Sequence, residues 1–276
     1  MKHFEKTIKF GKQKIYTKSW SSKNSPKALL FIIHGVAEHL ERYQHVAKQC
    51  TDQDIYVYSI DLPGHGKSSG KRSYIRRFDS TIAIIDYQIQ KMKLEHPGIP
   101  VFILGHSLGG SLAANYALKL KPEINGFIIT SAALKIGDDI SPLLVKLSGF
   151  LSAIVPWLPA IKLGSDGLSH DPEIQKDYDT DPLNFRGMLP VRTGSEINKS
   201  IQYNQEKADQ FKYPVLLMHG ELDGMADYRG TEKFFNRISS GDKELKLHKN
   251  LFHELLNEYE KEEIINLIVS WILERV

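Results

Sequence analysis

The segment Gly105-His106-Ser107-Leu108-Gly109 places a serine between two glycines. It sits where an apolar, β-favouring run, Val101 to Leu104, gives way to an alanine-rich helical pattern. A G-x-S-x-G at a strand-to-helix junction is a nucleophile elbow: the serine rides a sharp, strained turn with its hydroxyl exposed. The flanking glycines let the strand and helix backbones pass closely. An ordinary tight-turn serine is the bland alternative, and the strand–turn–helix setting favours the nucleophile.

A serine hydroxyl is a poor nucleophile at neutral pH and needs a base to take its proton. That base is usually a histidine whose tautomer is held by a carboxylate. In folds with such an elbow the chain order is serine, acid, histidine. Asp223 leaves the apolar run Val215-Leu216-Leu217-Met218 through His219-Gly220-Glu221-Leu222, and His253 follows the last strand pattern. Asp227 is the rival acid, but it stands before Tyr228, where an aspartate commonly caps a helix. His248 is the rival base, but it lies within a strand pattern. His34, His65 and His106 fall in loops beside the serine and are expected to hold loop shape by hydrogen bonding. Glu38 and Arg42, spaced i, i+4, are expected to pair with each other. His39, His45, His219 and Glu221 form no convincing metal set, and neither a metal nor a cofactor is expected.

The elements that must position these groups alternate. Residues 4–10 and 14–18, around Gly11, predict an edge hairpin. Residues 28–33 are continuously apolar, as in a strand covered on both faces. They lead into His34-Gly35-Val36-Ala37-Glu38-His39. A helix over 43–52 follows, then a strand over 55–60 ending in Asp61-Leu62-Pro63-Gly64-His65-Gly66-Lys67-Ser68. A long helix over 78–95 stops before Pro97-Gly98. The elbow strand and its helix come next, the helix running to Lys121, and then a strand over 126–130. This is the pattern of a doubly wound, mostly parallel sheet, whose chemistry gathers at the carboxyl ends of the strands. His34-Gly35, Asp61, Ser107 and Ser131 all fall there.

The alternation breaks between Leu134 and Asn204. Ser141-Pro142 opens a helical pattern that is apolar around most of its circumference and ends at Pro156-Trp157-Leu158-Pro159. His170-Asp171-Pro172-Glu173 and Asp181-Pro182-Leu183 read as turns and helix starts. Strands over 215–218 and 244–247 and helices over 231–238 and 261–275 then resume the pattern. The expected division is a core of 1–134 and 205–276 with an inserted helical cap of 135–204. The apolar stretch 143–161 is the expected lipid-facing wall, and Trp157 and Leu158 the expected contact with a membrane or micelle.

Composition excludes several classes. The 276 residues are 41% hydrophobic and 25% charged, with a formal net charge of +3, an ordinary globular balance. Lys71-Arg72 and Arg76-Arg77 form the densest basic cluster, too sparse for a nucleic-acid surface. No uncharged run is long enough to span a membrane, and residues 1–5 carry no signal-peptide pattern. The single cysteine, Cys50, lies in a helical pattern and is expected to be a buried thiol; it is compatible with a reducing compartment. The expected location is the cytoplasm, with peripheral membrane contact through the cap.

Gly105-His106-Ser107-Leu108-Gly109-Gly110, the segment from His34 to His39 with Arg42-Tyr43, and Asp61 to Ser68 together resemble the monoacylglycerol lipase and lysophospholipase branch of the α/β-hydrolase superfamily. This branch is also described as serine aminopeptidase S33-type hydrolases. The resemblance extends through His219-Gly220-Glu221-Leu222-Asp223 and His253, and is weakest in the cap. It implies an α/β-hydrolase fold with a mostly parallel eight-stranded sheet, helices on both faces and an inserted cap. It makes Ser107 the nucleophile, Asp223 the acid and His253 the base, with the oxyanion hole formed by the backbone N–H groups of Val36 and Leu108. Leu108 opens the helix after the elbow, where N–H groups lack intrahelical partners and the dipole favours an anion. The implied activity is hydrolysis of single-chain lipid esters such as a monoacylglycerol. Lysophospholipase, short-chain or feruloyl-type esterase, thioesterase and proline-type aminopeptidase share the same machinery. A non-catalytic binding protein on this fold is the alternative from another class, and it conflicts with an intact set of catalytic residues.

Overall fold

A computed structural model describes residues 1–136, 149–162 and 164–276. In chain order the elements of the first part are β1 (Lys2–Phe10), β2 (Gln13–Ser21), β3 (Ala28–Ile33), α1 (Gln44–Asp52), β4 (Ile55–Ile60), α2 (Phe78–Glu95), β5 (Val101–His106), α3 (Leu108–Leu120) and β6 (Gly126–Thr130). Then follow β7 (Pro159–Lys162), α4 (Pro172–Thr180), β8 (Met188–Pro190) and α5 (Val191–Glu206). The last part is β9 (Val215–Gly220), α6 (Tyr228–Arg237), β10 (Lys243–His248) and α7 (Lys261–Leu273). The expected strands and helices of the sheet-forming parts are all present, with ends shifted by a few residues.

Eight strands form one sheet in the order β1-β2-β4-β3-β5-β6-β9-β10. β2 runs antiparallel to β1 and to β4, and every other pairing is parallel. The sheet is thus an α/β-hydrolase-type, mostly parallel sheet with helices on both faces. The unbroken apolar character of β3 follows from this. Leu29, Phe31 and Ile33 pack among side chains of α2 and α3, while Ala28, Leu30 and Ile32 pack on the opposite face among those of α1 and α7. A strand covered on both sides has no polar face to alternate with. Cys50 is buried on the α1 side of the sheet.

Among the described residues, the chain between β6 and β9 adds no strand to this sheet. β7 and β8 pair antiparallel in a separate two-stranded ladder, interrupted between Pro159 and Ile161. Asp171 caps α4, accepting from the N–H of Glu173 at 3.0 Å with Pro172 in the first turn. That is the helix start its sequence signals. The apolar helical pattern opening at Ser141 is described only over residues 149–154 and their flanks; the remainder lies outside the described residues.

α5 joins this segment to the core through buried polar side chains. Ser200 and Ser111 share a hydroxyl hydrogen bond at 2.9 Å, Asn115 donates to Asn204 at 3.0 Å, and Asn204 donates to the Ser111 carbonyl at 2.9 Å. Glu196 of α5 accepts from the N–H of Phe78 at 3.0 Å. That N–H opens α2, whose own N-cap residue, Arg77, offers no side-chain acceptor.

The elbow is where the fold is tightest. A Cβ on Gly109 would strike the carbonyl of Ile33, and one on Gly105 would strike the backbone of Gly109 and lie 2.8 Å from the Gly110 Cα. We expect Gly109→Ala to cost on the order of 3 kcal/mol of stability, because the obstacle is strand backbone rather than a movable side chain. Chemical denaturation would measure this. A loss under about 0.5 kcal/mol, the range of indifferent surface changes, would mean that the turn is slack.

Candidate active site

Ser107 lies between β5 and α3 with φ 54° and ψ −116°, a conformation that a non-glycine residue adopts only under constraint. The constraint is hydrogen bonding. Its N–H donates to the Thr130 carbonyl at 3.0 Å, and its carbonyl accepts from the N–H groups of Ser111 and Ala133, each at 3.1 Å. The side chain opens into a cavity that His253, Val36 and Leu108 also line. Among the described residues neither the Val36 N–H nor the Leu108 N–H has an acceptor. The loop carrying Val36 is tied down on both sides. Gly35 donates its N–H to Glu38 Oε1 at 2.5 Å, and His34 joins the Gly35 carbonyl at 2.7 Å to the Leu62 N–H at 2.9 Å. A Cβ on Gly35 would lie 2.7 Å from Glu38 Oε1 and 3.3 Å from the Ser107 Cβ.

Asp223 and His253 come together although the chain between them makes a helix and a strand. His253 Nδ1–H donates to Asp223 Oδ2 at 2.6 Å, so in the neutral imidazole Nε2 is the nitrogen without a proton. Asp223 Oδ1 accepts from the N–H groups of Met225 at 2.8 Å and Ala226 at 3.0 Å. Burial alone would raise the Asp223 pKa, but the His253 and His219 imidazoles hold it well below the usual carboxylate range. Burial likewise opposes charge on His253, and the Asp223 carboxylate outweighs it, leaving that imidazole above its ordinary value of 6.5. Ser107 and His253 share the cavity without a hydrogen bond between them; catalytic contacts of this kind often tighten only around substrate. Gly220, at the end of β9, is pressed against the Leu251 and Phe252 carbonyls, so the loop bearing His253 crosses directly over the strand that leads to Asp223.

The rivals sit elsewhere. Asp227 caps α6, accepting from the Arg229 N–H at 2.9 Å, and pairs with Lys135. His248 is a half-buried residue of β10. Burial and the neighbouring His253 push His106 down to about 3, and burial takes His34 well below its ordinary value. Both are therefore neutral hydrogen-bonding groups; His34 holds loop shape as expected, whereas His106 is the last residue of β5, not a loop residue, and bonds to Thr130 of β6.

Two connections escape the sequence pattern. Arg42 does pair with Glu38, at 3.1 Å, but its main partner is Glu254, the residue after His253, held by two bonds of 2.5 and 2.8 Å. Arg42 therefore ties the Val36 loop to the His253 loop. His219 also bonds to Asp223 Oδ2, at 3.0 Å. Both pairs join residues that pattern reading treats separately.

The space between the cavity walls, open solvent included, is about 880 Å³. Its polar end is Ser107, His253, His106, Glu38 and Glu254; its walls are mostly apolar, with Lys135 and Tyr178 among them. Of the stretch 143–161, the described residues contribute only Ile161 to those walls. Phe150, Ile154, Trp157 and Leu158 face outward instead, 67%, 59%, 59% and 41% exposed. Among the described residues, the walls come chiefly from Leu168, Leu189, Ile197 and Ile201 of the later part of the insertion, and from Met225.

The profile described as serine aminopeptidase, S33, matches residues 24–260. The monoacylglycerol lipase of Mycolicibacterium smegmatis is 30% identical over 254 residues, covering 92% of this chain and 91% of that one. The human monoglyceride lipase is 28% identical, over 95% of this chain and 88% of that one. The crystal structure of a monoacylglycerol lipase from Paleococcus ferrophilus superimposes with a TM-score of 0.87 at 28% identity, over 95% of this chain and 99% of that one.

A fluorophosphonate should label the protein covalently at Ser107 and fail to label Ser107→Ala. The labelling rate should follow neutral His253, rising with pH through a midpoint above 6.5. Glu254 and Glu38 face the same imidazole and support its charged form, which places the midpoint on that side. A rate constant that is flat between about pH 5 and 9 would remove His253 from the role of base.

Proposed function

The chain belongs to the serine aminopeptidase S33 family and is a hydrolase; from that premise we propose that it cleaves single-chain lipid esters, monoacylglycerols foremost. The observation that carries the substrate class is the cavity: a polar end bearing Ser107 and His253, and walls of Leu168, Leu189, Ile197 and Ile201. A small polar ester would gain nothing from such walls, whereas each buried methylene of an acyl chain gains about 0.8 kcal/mol. The names of the relatives, monoacylglycerol and monoglyceride lipases, support the same reading.

In this reading Ser107 Oγ attacks the ester carbonyl carbon while His253 Nε2 takes its proton. The carbonyl oxygen becomes an oxyanion that accepts from the unengaged N–H groups of Val36 and Leu108. Asp223 stabilises the imidazolium without taking its proton. The tetrahedral intermediate collapses, the C–O bond to glycerol breaks, and His253 gives its proton to the departing alkoxide. Water, deprotonated by His253, then attacks the acyl-enzyme and releases the fatty acid and Ser107. Donors preorganised at the developing oxyanion are worth about 3–4 kcal/mol each.

We further propose that residues 135–204 act as a cap over the strand ends, and that the outward-facing Phe150, Ile154, Trp157 and Leu158 rest on the lipid surface from which substrate is drawn. Four large apolar side chains exposed within nine residues support this. Among the described residues no helix is long and apolar enough to cross a membrane, so the proposed contact is peripheral. A cytoplasmic location goes with it.

Purified protein should hydrolyse medium- or long-chain monoacylglycerol, and Ser107→Ala should lower kcat by about 10⁴-fold or more. Ile197→Asp should depress activity on the long-chain ester far more than on an acetate ester, since only the former reaches that wall. Parallel rates on lysophosphatidylcholine and an aminoacyl anilide decide among the related hydrolases; a preference for the anilide would overturn the lipid reading. For the surface contact, Phe150→Ser with Trp157→Ser should reduce co-sedimentation with phospholipid vesicles while leaving turnover of a dissolved short-chain ester intact. Unchanged sedimentation would refute it.

A further inference from the structure

His219 is the last histidine before the proposed catalytic acid, and it is wholly buried on β9. Its Nε2 lies 3.0 Å from Asp223 Oδ2 and 3.0 Å from the Ala226 carbonyl oxygen. Both partners are acceptors, so Nε2 carries the proton. Its Nδ1 is then the acceptor for the Thr231 hydroxyl of α6, at 2.7 Å. Thr231 is wholly buried as well. A chain of hydrogen bonds thus runs Thr231 O–H to His219 Nδ1, His219 Nε2–H to Asp223 Oδ2, with His253 Nδ1–H donating to the same oxygen from the other side.

We infer that His219 is a positioning residue for the hydrolysis, acting through Asp223: it fixes the plane of that carboxylate so that Oδ2 presents to His253. This rests on the triad reading above. The Met225 and Ala226 N–H groups hold Oδ1, and both belong to the short loop that carries Asp223 itself. Oδ2 has no such local anchor. Without His219 its only partner would be His253, the group it is supposed to hold, and the carboxylate could turn about its Cβ–Cγ bond with the imidazole following. His219 supplies a reference from the sheet instead, because its ring is set by β9 and clamped by α6. With it, two donors reach each oxygen, filling the roughly four acceptor positions of a carboxylate. That keeps the buried Asp223 ionised and lets it stabilise a proton on His253 without accepting it. His219 does not line the cavity, so its effect falls on turnover and not on substrate binding.

The test uses the full-length protein and a monoacylglycerol, with Ser107→Ala measured alongside. His219→Ala is expected to lower kcat about tenfold, the size of one hydrogen bond to a charged group, with KM within about twofold of the parent. His219→Gln is expected to recover most of the loss, because its amide nitrogen stands the same number of bonds from Cα and can donate to Oδ2. A merely structural histidine would lower the melting temperature of both variants and leave kcat per folded molecule alone. Ring-¹⁵N-histidine spectra add a readout on the parent protein: one buried imidazole protonated at Nε2, with an exchange-protected proton, whose signal vanishes in His219→Gln. A folded His219→Ala with parental kcat overturns the inference, as does a folded His219→Gln no better than His219→Ala. If His219→Ala does not fold, the spectrum decides, and a His219 protonated at Nδ1 alone overturns it. Failure of the triad reading is separable, because then Ser107→Ala would keep the parental activity.

Discussion

The whole site depends on a backbone crossing that only glycine permits. α3 starts so close beneath β3 and β5 that Gly109 touches the Ile33 carbonyl and Gly105 the Gly109 backbone. The residue between them is forced to a positive φ and kept there by bonds to Thr130, Ser111 and Ala133. Because the helix begins immediately, the Leu108 N–H is left without an intrahelical acceptor beside the serine. One steric constraint thus delivers a hydroxyl that faces the cavity and, beside it, the unengaged N–H proposed as an oxyanion donor, and the neighbouring strand end supplies the Val36 loop.

Charge around this point is arranged by burial and answered by partners. Asp223 is removed from water yet stays ionised, since four donors reach its two oxygens. Arg42 is largely buried, 11% of its side chain exposed, between Glu254 and Glu38, and it links the loops on either side of the serine. Removing one partner from such a set leaves an uncompensated buried charge, which is far more costly than the pair is stabilising. These groups therefore hold geometry more than they add stability, which is what a site requiring fixed donors needs. The neighbouring histidines His34 and His106, driven neutral by burial, add hydrogen bonds without competing as bases.

The insertion between β6 and β9 works by a different logic. Its contacts with the core include buried polar ones through Ser200, Asn204, Thr193 and Glu196, beside Ile197 and Tyr203 packed on the core. Other apolar side chains face the cavity or the outside. Ile161, Leu189 and Ile197 line the former, and Phe150 and Trp157 face the latter. An apolar helix in a sequence reads as a core or a lining, and burial cannot be assigned to one or the other from periodicity alone. Among the described residues the walls come mainly from residues 168–201, which periodicity does not single out.

The sequence by itself determined the sheet and the elbow, and it named the groups proposed to react there. Continuous apolar strands, glycine-flanked Ser107, and an aspartate and a histidine at successive strand ends are local signals, each set by a few neighbouring residues. The N-cap role of Asp227 was legible for the same reason. Which partners these groups keep was settled only by the tertiary structure. Arg42 and Glu254 are 212 residues apart, and His39 meets Asp181 across 142. His219 stands only four residues from Asp223, yet its tautomer depends on Thr231 and Ala226 as well. Hydrogen bonds of this kind depend on where the folded backbone points each side chain. No periodicity in the chain encodes that direction, because it emerges from the packing of several elements at once.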